Sequence, residues 1–571
     1  MIGRERGPAS RAELGGPAAE PGAPPRERRL RWGVAAALVA GCAVLHAGAV
    51  RGEFVIDDRT FFVENDVLPR LGPADALTVF TRPTNDWGDF QPVRDLLFVL
   101  QHSAFGRDPA GYHVVSIALY AVACLLAFAL ARALLGAGRG GAEPDASTAA
   151  AVAAALFAIH PAHVEAVAYI CGQKELLGGL FSLASLLAFH SAFERPDRRA
   201  SRVAAGLVLY GLGILSKQTA VVLAAAVPLL WLLSDRARRP APLRSAAVWA
   251  IANVPAVLWM IRSREAFQAL WGSTSALASV PALDRIPLAI RILGAHARLA
   301  VWPHPLSFGY PFDERTALDG HLAAGLVALA IAAGLVWRYR REPAVVFGAA
   351  SFFLFLVPVM QLHGSLNNAS VYDRYLFLPV FGLALVVERL ARELLLARLR
   401  APRAWAAALG AVAVAGAVLT VRHVPAFADD VAVSRTSYEA FPGWTRPPFE
   451  LAYTLVERGR IAEARALVAR EPSLDAPPWV RPYLEGWMIL AEGRPHEAIP
   501  VLGRASFLAV TGGYYPFPSI PLARALAQAG RLEEAEAEAR RALASPIYQP
   551  LEAYHAREVL AAIERRRAEA R

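Results

Sequence analysis

Long apolar runs, many of them closed by a cluster of arginines, decide what this chain can become. About 18 consecutive apolar residues suffice for a helix to cross the hydrocarbon core of a bilayer. Such runs fall near residues 32–50, 113–135, 147–164, 175–193, 202–216, 218–233, 244–262, 320–337, 344–362, 372–396 and 404–422. The expectation is therefore about eleven membrane spans. Composition agrees: of 571 residues 55% are hydrophobic and 19% charged, with mean hydropathy +0.35. A soluble chain of this length carries more charge and concentrates its apolar residues less. The first run is long for a signal segment and lacks a small-residue cleavage site, so it reads as a retained span.

The arginines set the orientation, because positive flanks resist translocation. Arg26, Arg28, Arg29 and Arg31 precede the first span, and Arg195, Arg198, Arg199 and Arg202 follow the fourth. Arg236, Arg238, Arg239 and Arg244 lie between the sixth and seventh. Arg338, Arg340 and Arg341 follow the eighth, and Arg392, Arg398, Arg400 and Arg403 the tenth. With eleven spans all these clusters share one side, which puts the amino terminus in the cytoplasm and the carboxyl terminus outside. Segment 286–302 carries Arg291, His296 and Arg298. Charge at mid-bilayer is expensive, so it reads as an interfacial or re-entrant helix rather than a span.

The net charge of +10 follows from this topology. Basic loops facing anionic headgroups account for it, and nothing points to nucleic acid. Cys42, Cys124 and Cys171 show no paired spacing, so neither a disulfide framework nor a zinc site is implied. Residues 1–30 read as a disordered cytoplasmic tail. Basic positions are almost all Arg and the helices are Ala-rich, which suits a bacterial high-GC genome and an inner-membrane location.

From about residue 424 the pattern changes. Gly459-Arg460-Ile461-Ala462-Glu463-Ala464, Gly493-Arg494-Pro495-His496-Glu497-Ala498 and Gly530-Arg531-Leu532-Glu533-Glu534-Ala535 repeat one motif. A period near 34 residues, with Gly at a helix–helix turn and small Ala beyond it, is the tetratricopeptide signature. The aromatic stretch 512–518 reads as an insertion between the second and third units. The fold class expected is all-α: a polytopic membrane bundle over 31–423, with a long first outer loop 51–112, then a repeat α-solenoid over 424–571. The solenoid either binds protein or peptide on a concave surface or caps the membrane domain.

Six stretches carry a family resemblance. They are Phe54-Val55-Ile56-Asp57-Asp58, Gln91-Pro92-Val93-Arg94-Asp95-Leu96, Phe105 to His113, Leu156 to Val167, Leu215-Ser216-Lys217-Gln218-Thr219 and Tyr372-Asp373-Arg374-Tyr375 to Pro379. In this order, followed by the repeats, they resemble the GT-C glycosyltransferases, specifically the protein O-mannosyltransferase relatives that carry tetratricopeptide repeats. Two positions depart from the pattern. Gln218 stands where an acidic residue is usual, and Ser116 and Tyr120 stand near positions that commonly hold Asn and His.

The resemblance implies transfer of a single mannose-like sugar from a polyprenyl-phosphate donor to an acceptor hydroxyl, on protein, at the extracytoplasmic face, by an inverting displacement. Such a site needs a carboxylate base for the hydroxyl, cations for the departing phosphate and an apolar groove for the prenyl chain. Asp57 and Asp58 are the candidate base pair, the bland alternative being a helix N-cap. Arg94, Lys217 and Arg374 are the phosphate candidates; Arg94 and Arg374 could instead pair with Asp95 and Asp373. His160, His163, Glu165, Lys174, Glu175 and Asp373 are candidate supports. His160 and His163 resemble half of a metal site, but Pro161 disturbs the helix and no third ligand has firm spacing. No cofactor is required, and a divalent cation is compatible. Trp87 and Tyr112 are candidates to stack on sugar. The partners expected are the lipid-linked sugar, membrane lipids and a protein or peptide acceptor. Two other readings stand beside this one: an O-antigen ligase- or polymerase-like enzyme, and a non-catalytic scaffold or transporter.

Overall fold

A computed structural model describes residues 25–65, 67–84, 90–136, 146–241, 247–251, 253–254, 256–258, 281–310, 312, 319–362, 371–512, 518–544 and 550–569. All regular structure among them is helical. The helices that position the site are α1 (Pro25–His46), α2 (Asp57–Phe62), α3 (Pro92–Phe105), α4 (Pro109–Gly136), α5 (Ala146–Ala158), α6 (Val164–Ala168), α7 (Gln173–Glu194), α8 (Arg199–Ser216) and α9 (Leu223–Leu233).

Five of the helical segments described are long and apolar enough to cross a membrane: Pro25–Arg51, Pro109–Gly136, Ile170–Glu194, Gly320–Arg338 and Pro402–Phe427. A sixth crossing results if the bent pair Ala146–Ala158 and Pro161–Ala168, angled at 56°, counts as one span. Four more of the expected spans coincide with shorter or less apolar helices: α8, Gln218–Leu233, Pro343–Val359 and Phe377–Ala391. The remaining one, 244–262, lies partly outside the described residues. Gly320–Arg338 and Pro402–Phe427 expose apolar side chains such as Leu326, Val327, Ile331, Val412, Val414 and Val418 around most of their circumference. An apolar surface that large is stable against lipid and not against water.

Three interruptions break the helices. Pro161 lacks an N–H and breaks the helix between α5 and α6. Lys217 leaves α8 in extended backbone, φ −155°, before the 3-10 turn Gln218–Val222 leads into α9. A second 3-10 turn, Asp373–Leu376, precedes Phe377–Ala391. Non-helical backbone at membrane depth is tolerated where it lines a cavity, and residues from α7, the Lys217 turn and the Arg374 turn line one cleft. Gly178 and Gly179 of α7 make this approach feasible. A Cβ at Gly178 would stand 2.7 Å from Cβ of Lys217, and one at Gly179 would collide with the ring of Phe377.

The helix Ile286–Val301 packs along Gly320–Arg338, with Gly294 and Gly325 at the crossing, where a Cβ on either would collide with the other helix. Arg291 on this helix is buried, pairs with Asp319 at 2.7 Å and stacks 4.7 Å from the centroid of Phe312.

Beyond Phe427 the helix Asp430–Ala440 leads into three helical hairpins: Arg446–Glu457 with Ile461–Arg470, Val480–Ala491 with Pro495–Thr511, and Ser519–Gln528 with Leu532–Leu543. Gly459, Gly493 and Gly530 turn them at φ +71°, +78° and +79°, a region that L side chains enter at a cost. Ala464, Ala498 and Ala535 beyond the turns are fully buried, so the hairpin helices approach closely there. The helix Pro550–Glu569 closes the module. Residues 513–517 of the expected insertion lie outside the described residues.

Candidate active site

The chain leaves α1 and enters a turn whose apolar residues, Phe54 and Val55, are buried. Ile56 follows at φ +51°, ψ −120°. A β-branched side chain is strained there, and such strain persists where the surroundings over-determine it. Asp57 and Asp58 are the first two residues of α2, with Ile56 at the N-cap position, so neither aspartate is the cap. Successive helical residues point about 100° apart, and the two carboxylates therefore meet different surroundings.

Asp58 is fully buried and ties its own turn to Ile170 and Cys171. Its carboxylate accepts the N–H of Val55 at 3.3 Å, of Ile170 at 3.3 Å and of Cys171 at 2.6 Å. Burial pushes its carboxyl up to about 7, the neighbouring Asp57 adding to the rise and the N–H donors opposing it. Asp57 is partly exposed, and its Oδ2 accepts a hydrogen bond from the Tyr169 hydroxyl at 2.7 Å. Gly172 makes the turn around Tyr169 possible, since a Cβ there would lie 2.8 Å from the Ala166 carbonyl.

The second half of the site is a group of two acids and two bases. Glu165, fully buried on α6, accepts the Arg374 backbone N–H at 2.9 Å and also its guanidinium. Lys217 Nζ donates to Glu175 Oε1 at 2.7 Å, and Arg374 Nε stands 3.8 Å from the same oxygen. That Nε has no hydrogen-bond partner among the described residues. The Arg374 guanidinium lies 3.8 Å from the ring centroid of Tyr372 and 5.4 Å from those of Phe308 and Tyr375. Lys217, Arg374 and Glu175 line a cleft of about 430 Å³ that includes the solvent at its mouth; Val222, Phe355, Val359, Phe377 and Leu378 line it too. Cationic donors beside an apolar wall suit a phosphate that carries a hydrocarbon tail.

Aromatic rings join the two halves. Tyr169, bonded to Asp57, packs edge-on against Phe308 at 5.4 Å, and Phe308 packs against Tyr372 at 5.8 Å beneath Arg374. Residues far apart in sequence thus form a run of rings from Asp57 to Arg374, while Asp57 and Asp58 themselves do not line the cleft. Tyr169, Phe308 and Tyr372 escaped the sequence reading as site residues; the one usable signal was an aromatic residue beside a tight glycine turn between two apolar runs.

Other candidates sit elsewhere. Arg94 is buried on α3, bound to Asp95 at 2.5 Å and stacked on Phe61 and Phe98, and it does not line the cleft. Lys174 is partly buried in the first turn of α7 and also does not line it. Asp373 is buried, with Oδ1 accepting from the Tyr310 hydroxyl at 2.7 Å and Oδ2 4.0 Å from His423. His160 accepts from the Ala162 N–H at Nδ1 (3.3 Å) and donates from Nε2 to the Ala300 carbonyl (3.0 Å). His163 Nδ1 meets the Tyr120 hydroxyl at 2.9 Å. Ser116 and Tyr120, the two atypical residues of α4, therefore have defined partners, Ser116 accepting from Gln173 at 2.9 Å. Tyr112 is fully buried among Phe54, Phe62 and Phe105 and donates to the Gly106 carbonyl, so it is a core residue and not a sugar platform. Trp87 lies outside the described residues.

Comparison with known proteins bears on this arrangement. Residues 91–260 match the family model of dolichyl-phosphate-mannose-protein mannosyltransferase. Tmtc1 of Drosophila melanogaster, a protein O-mannosyl-transferase, is 31% identical over 193 residues, 32% of this chain and 21% of the relative. F38B6.6 of Caenorhabditis elegans, also a protein O-mannosyl-transferase, is 32% identical over 160 residues, 26% of this chain and 22% of the relative. Human TMTC4, of the same description, is 31% identical over 170 residues, 27% of this chain and 22% of the relative. The chain spans about a fifth of the length of these curated relatives. No solved structure matches it. Over the matched stretch the chain resembles the protein O-mannosyltransferases of GT-C type, as its ordered motifs imply.

Proposed function

We propose that this chain is an integral membrane glycosyltransferase that moves one mannose-like sugar from a polyprenyl-phosphate donor to a hydroxyl on protein at the extracytoplasmic face. The observation that carries the reading is the shared aromatic wall: Tyr169 bonds Asp57 and packs on Phe308, which lies under Arg374. In this reading Arg374 and Lys217 take the donor phosphate, drawing away from Glu175, while the prenyl chain follows the apolar side of the cleft. The acceptor oxygen attacks the anomeric carbon from the face opposite the phosphate. The bond from that carbon to the phosphate oxygen breaks with its electron pair going to the phosphate, and the acceptor proton passes to Asp57. One displacement inverts the configuration. Asp58 fixes the turn, Glu165 holds Arg374, and His160, His163, Lys174 and Asp373 brace the surrounding layer. Arg94 stabilises the first loop through Asp95.

The wider reading keeps eleven spans, a cytoplasmic amino-terminal tail over 1–30, a catalytic membrane domain over 31–423 and a tetratricopeptide module over 424–571 that presents protein acceptors outside. A bacterial inner membrane suits the composition. The test is mass spectrometry of extracytoplasmic glycoproteins and lipid-linked sugars in a deletion strain complemented with wild type or with Asp57→Asn. Loss of one hexose at defined hydroxyls, with the lipid-linked donor accumulating, is the expected result. An unchanged glycan profile in the deletion strain overturns it.

A further inference from the structure

The turn that presents Asp57 is gripped from two directions. On one side Asp58 holds it to the backbone of Ile170 and Cys171. On the other side it meets the carboxyl-terminal module, through a residue remote in sequence. Asp430 is the first residue of the helix Asp430–Ala440, where Asp429 already serves as the cap by accepting the Ala432 N–H at 2.8 Å. Acidic residues at this position ordinarily serve the helix dipole and face water. Asp430 instead turns both oxygens to other partners. Oδ1 accepts the N–H of the strained Ile56 at 2.8 Å, and Oδ2 accepts Arg59 at 3.3 Å and Arg458 at 2.8 Å. Arg458, at the end of the first hairpin's leading helix, also reaches Glu53 at 2.8 Å, and the Glu53 N–H donates to the Ala428 carbonyl at 2.9 Å.

We propose that Asp430 is a positioning residue for Asp57: by holding the Ile56 peptide in its left-handed conformation, the carboxyl-terminal module sets the direction in which the carboxylate of Asp57 points. The inference rests on the reading of Asp57 as the base. Ile56 directly precedes Asp57, so a change in its backbone swings the following side chain. At φ +51° an isoleucine relaxes once its surroundings stop over-determining it. The charge-assisted bond from Asp430 is the contact made to that N–H, and its other partners, Arg59 and Arg458, pin Asp430 in turn. The repeats are therefore part of the catalytic geometry and not an appended tether.

Two measurements on the full-length protein in lipid nanodiscs test this. The first is hydrogen–deuterium exchange. In Asp430→Ala the Ile56 amide is expected to exchange about tenfold faster or more, with the helix Gln173–Glu194 unchanged, as for an amide that loses its acceptor. Unchanged exchange at Ile56 overturns the clamp. The second is transfer kinetics with polyprenyl-phosphate mannose as donor and water as acceptor. Asp430→Ala is expected to lower kcat about tenfold or more at unchanged donor KM, as for a displaced catalytic group. Asp430→Asn, which keeps an oxygen for the Ile56 N–H, recovers most of the rate. Wild-type kcat in Asp430→Ala, or no recovery in Asp430→Asn, overturns the positioning role. Asp57→Asn with full activity overturns the functional reading instead, and the exchange result then still decides the clamp.

Discussion

The hydroxyl of Tyr169 donates to Oδ2 of Asp57 across 2.7 Å, whereas Asp58 beside it is closed off by three backbone N–H groups. Two adjacent carboxylates of equal chemistry thus have unequal surroundings: Asp57 is partly exposed, and Asp58 is spent on backbone contacts. Replacing Asp57 by Asn is expected to lower transfer by about 10²–10⁴-fold, the usual contribution of a general base. Tyr169→Phe is expected to cost about tenfold in kcat with donor KM unchanged, the scale of one hydrogen bond to a charged group. Steady-state kinetics in nanodiscs measure both.

Asp58 gives a pH signature. Burial raises its folded carboxyl from the ordinary 3.8 to about 7, so the folded protein binds this proton more tightly than the unfolded chain. Unfolding between about pH 4 and 7 releases the proton, and stability therefore falls as pH rises through that window and levels off above it. Asp58→Asn should flatten this slope, which thermal unfolding in detergent at pH 4.5 and pH 8 will read. Asp58→Ala, which leaves the three N–H donors without an acceptor, should be less stable than Asp58→Asn at both values.

Arg374 presents a planar fork, gripped by Glu165 and laid over Tyr372. A lysine cannot reproduce either contact. Arg374→Lys is expected to raise donor KM about tenfold and to lower kcat. Lys217→Met together with Glu175→Gln should chiefly raise donor KM. A titration with polyprenyl-phosphate mannose separates the two.

Gly179 has no room for a methyl group against Phe377. Gly179→Ala is expected to destabilise the protein by about 1–3 kcal/mol through overpacking. Gly493→Ala, at φ +78° with open space around it, should cost about 1 kcal/mol by backbone strain alone. Thermal unfolding of the two variants tests this order.

Periodic features were legible in the chain. Apolar runs became helices because length and composition leave few alternatives, and Gly459, Gly493 and Gly530 became hairpin turns because their spacing repeats. Lys217, Arg374, Glu165 and Glu175, which pair with one another, were legible only as members of a longer roll of phosphate and supporting candidates. Their pairing was not, since it depends on where a broken helix lets the backbone turn. The difference between Asp57 and Asp58 was also hidden, because one position along a helix changes what a side chain faces. Arg94 looked like a phosphate ligand by charge, yet Phe61, Phe98 and Asp95 enclose it. Asp430 lies 374 residues from Ile56, and no local pattern announces a contact over such a separation.

The two-acid, two-base arrangement also governs how variants at the cleft ought to be designed. Its formal charges cancel, so deleting one member strands an opposite charge in a poorly solvated place, an error of several kcal/mol in what a single substitution reports. An alanine scan would rank these four residues by the distress of the abandoned neighbour. Matched neutralisations, Glu175→Gln together with Lys217→Met and Glu165→Gln together with Arg374→Gln, keep the ledger balanced and isolate what each couple contributes to turnover.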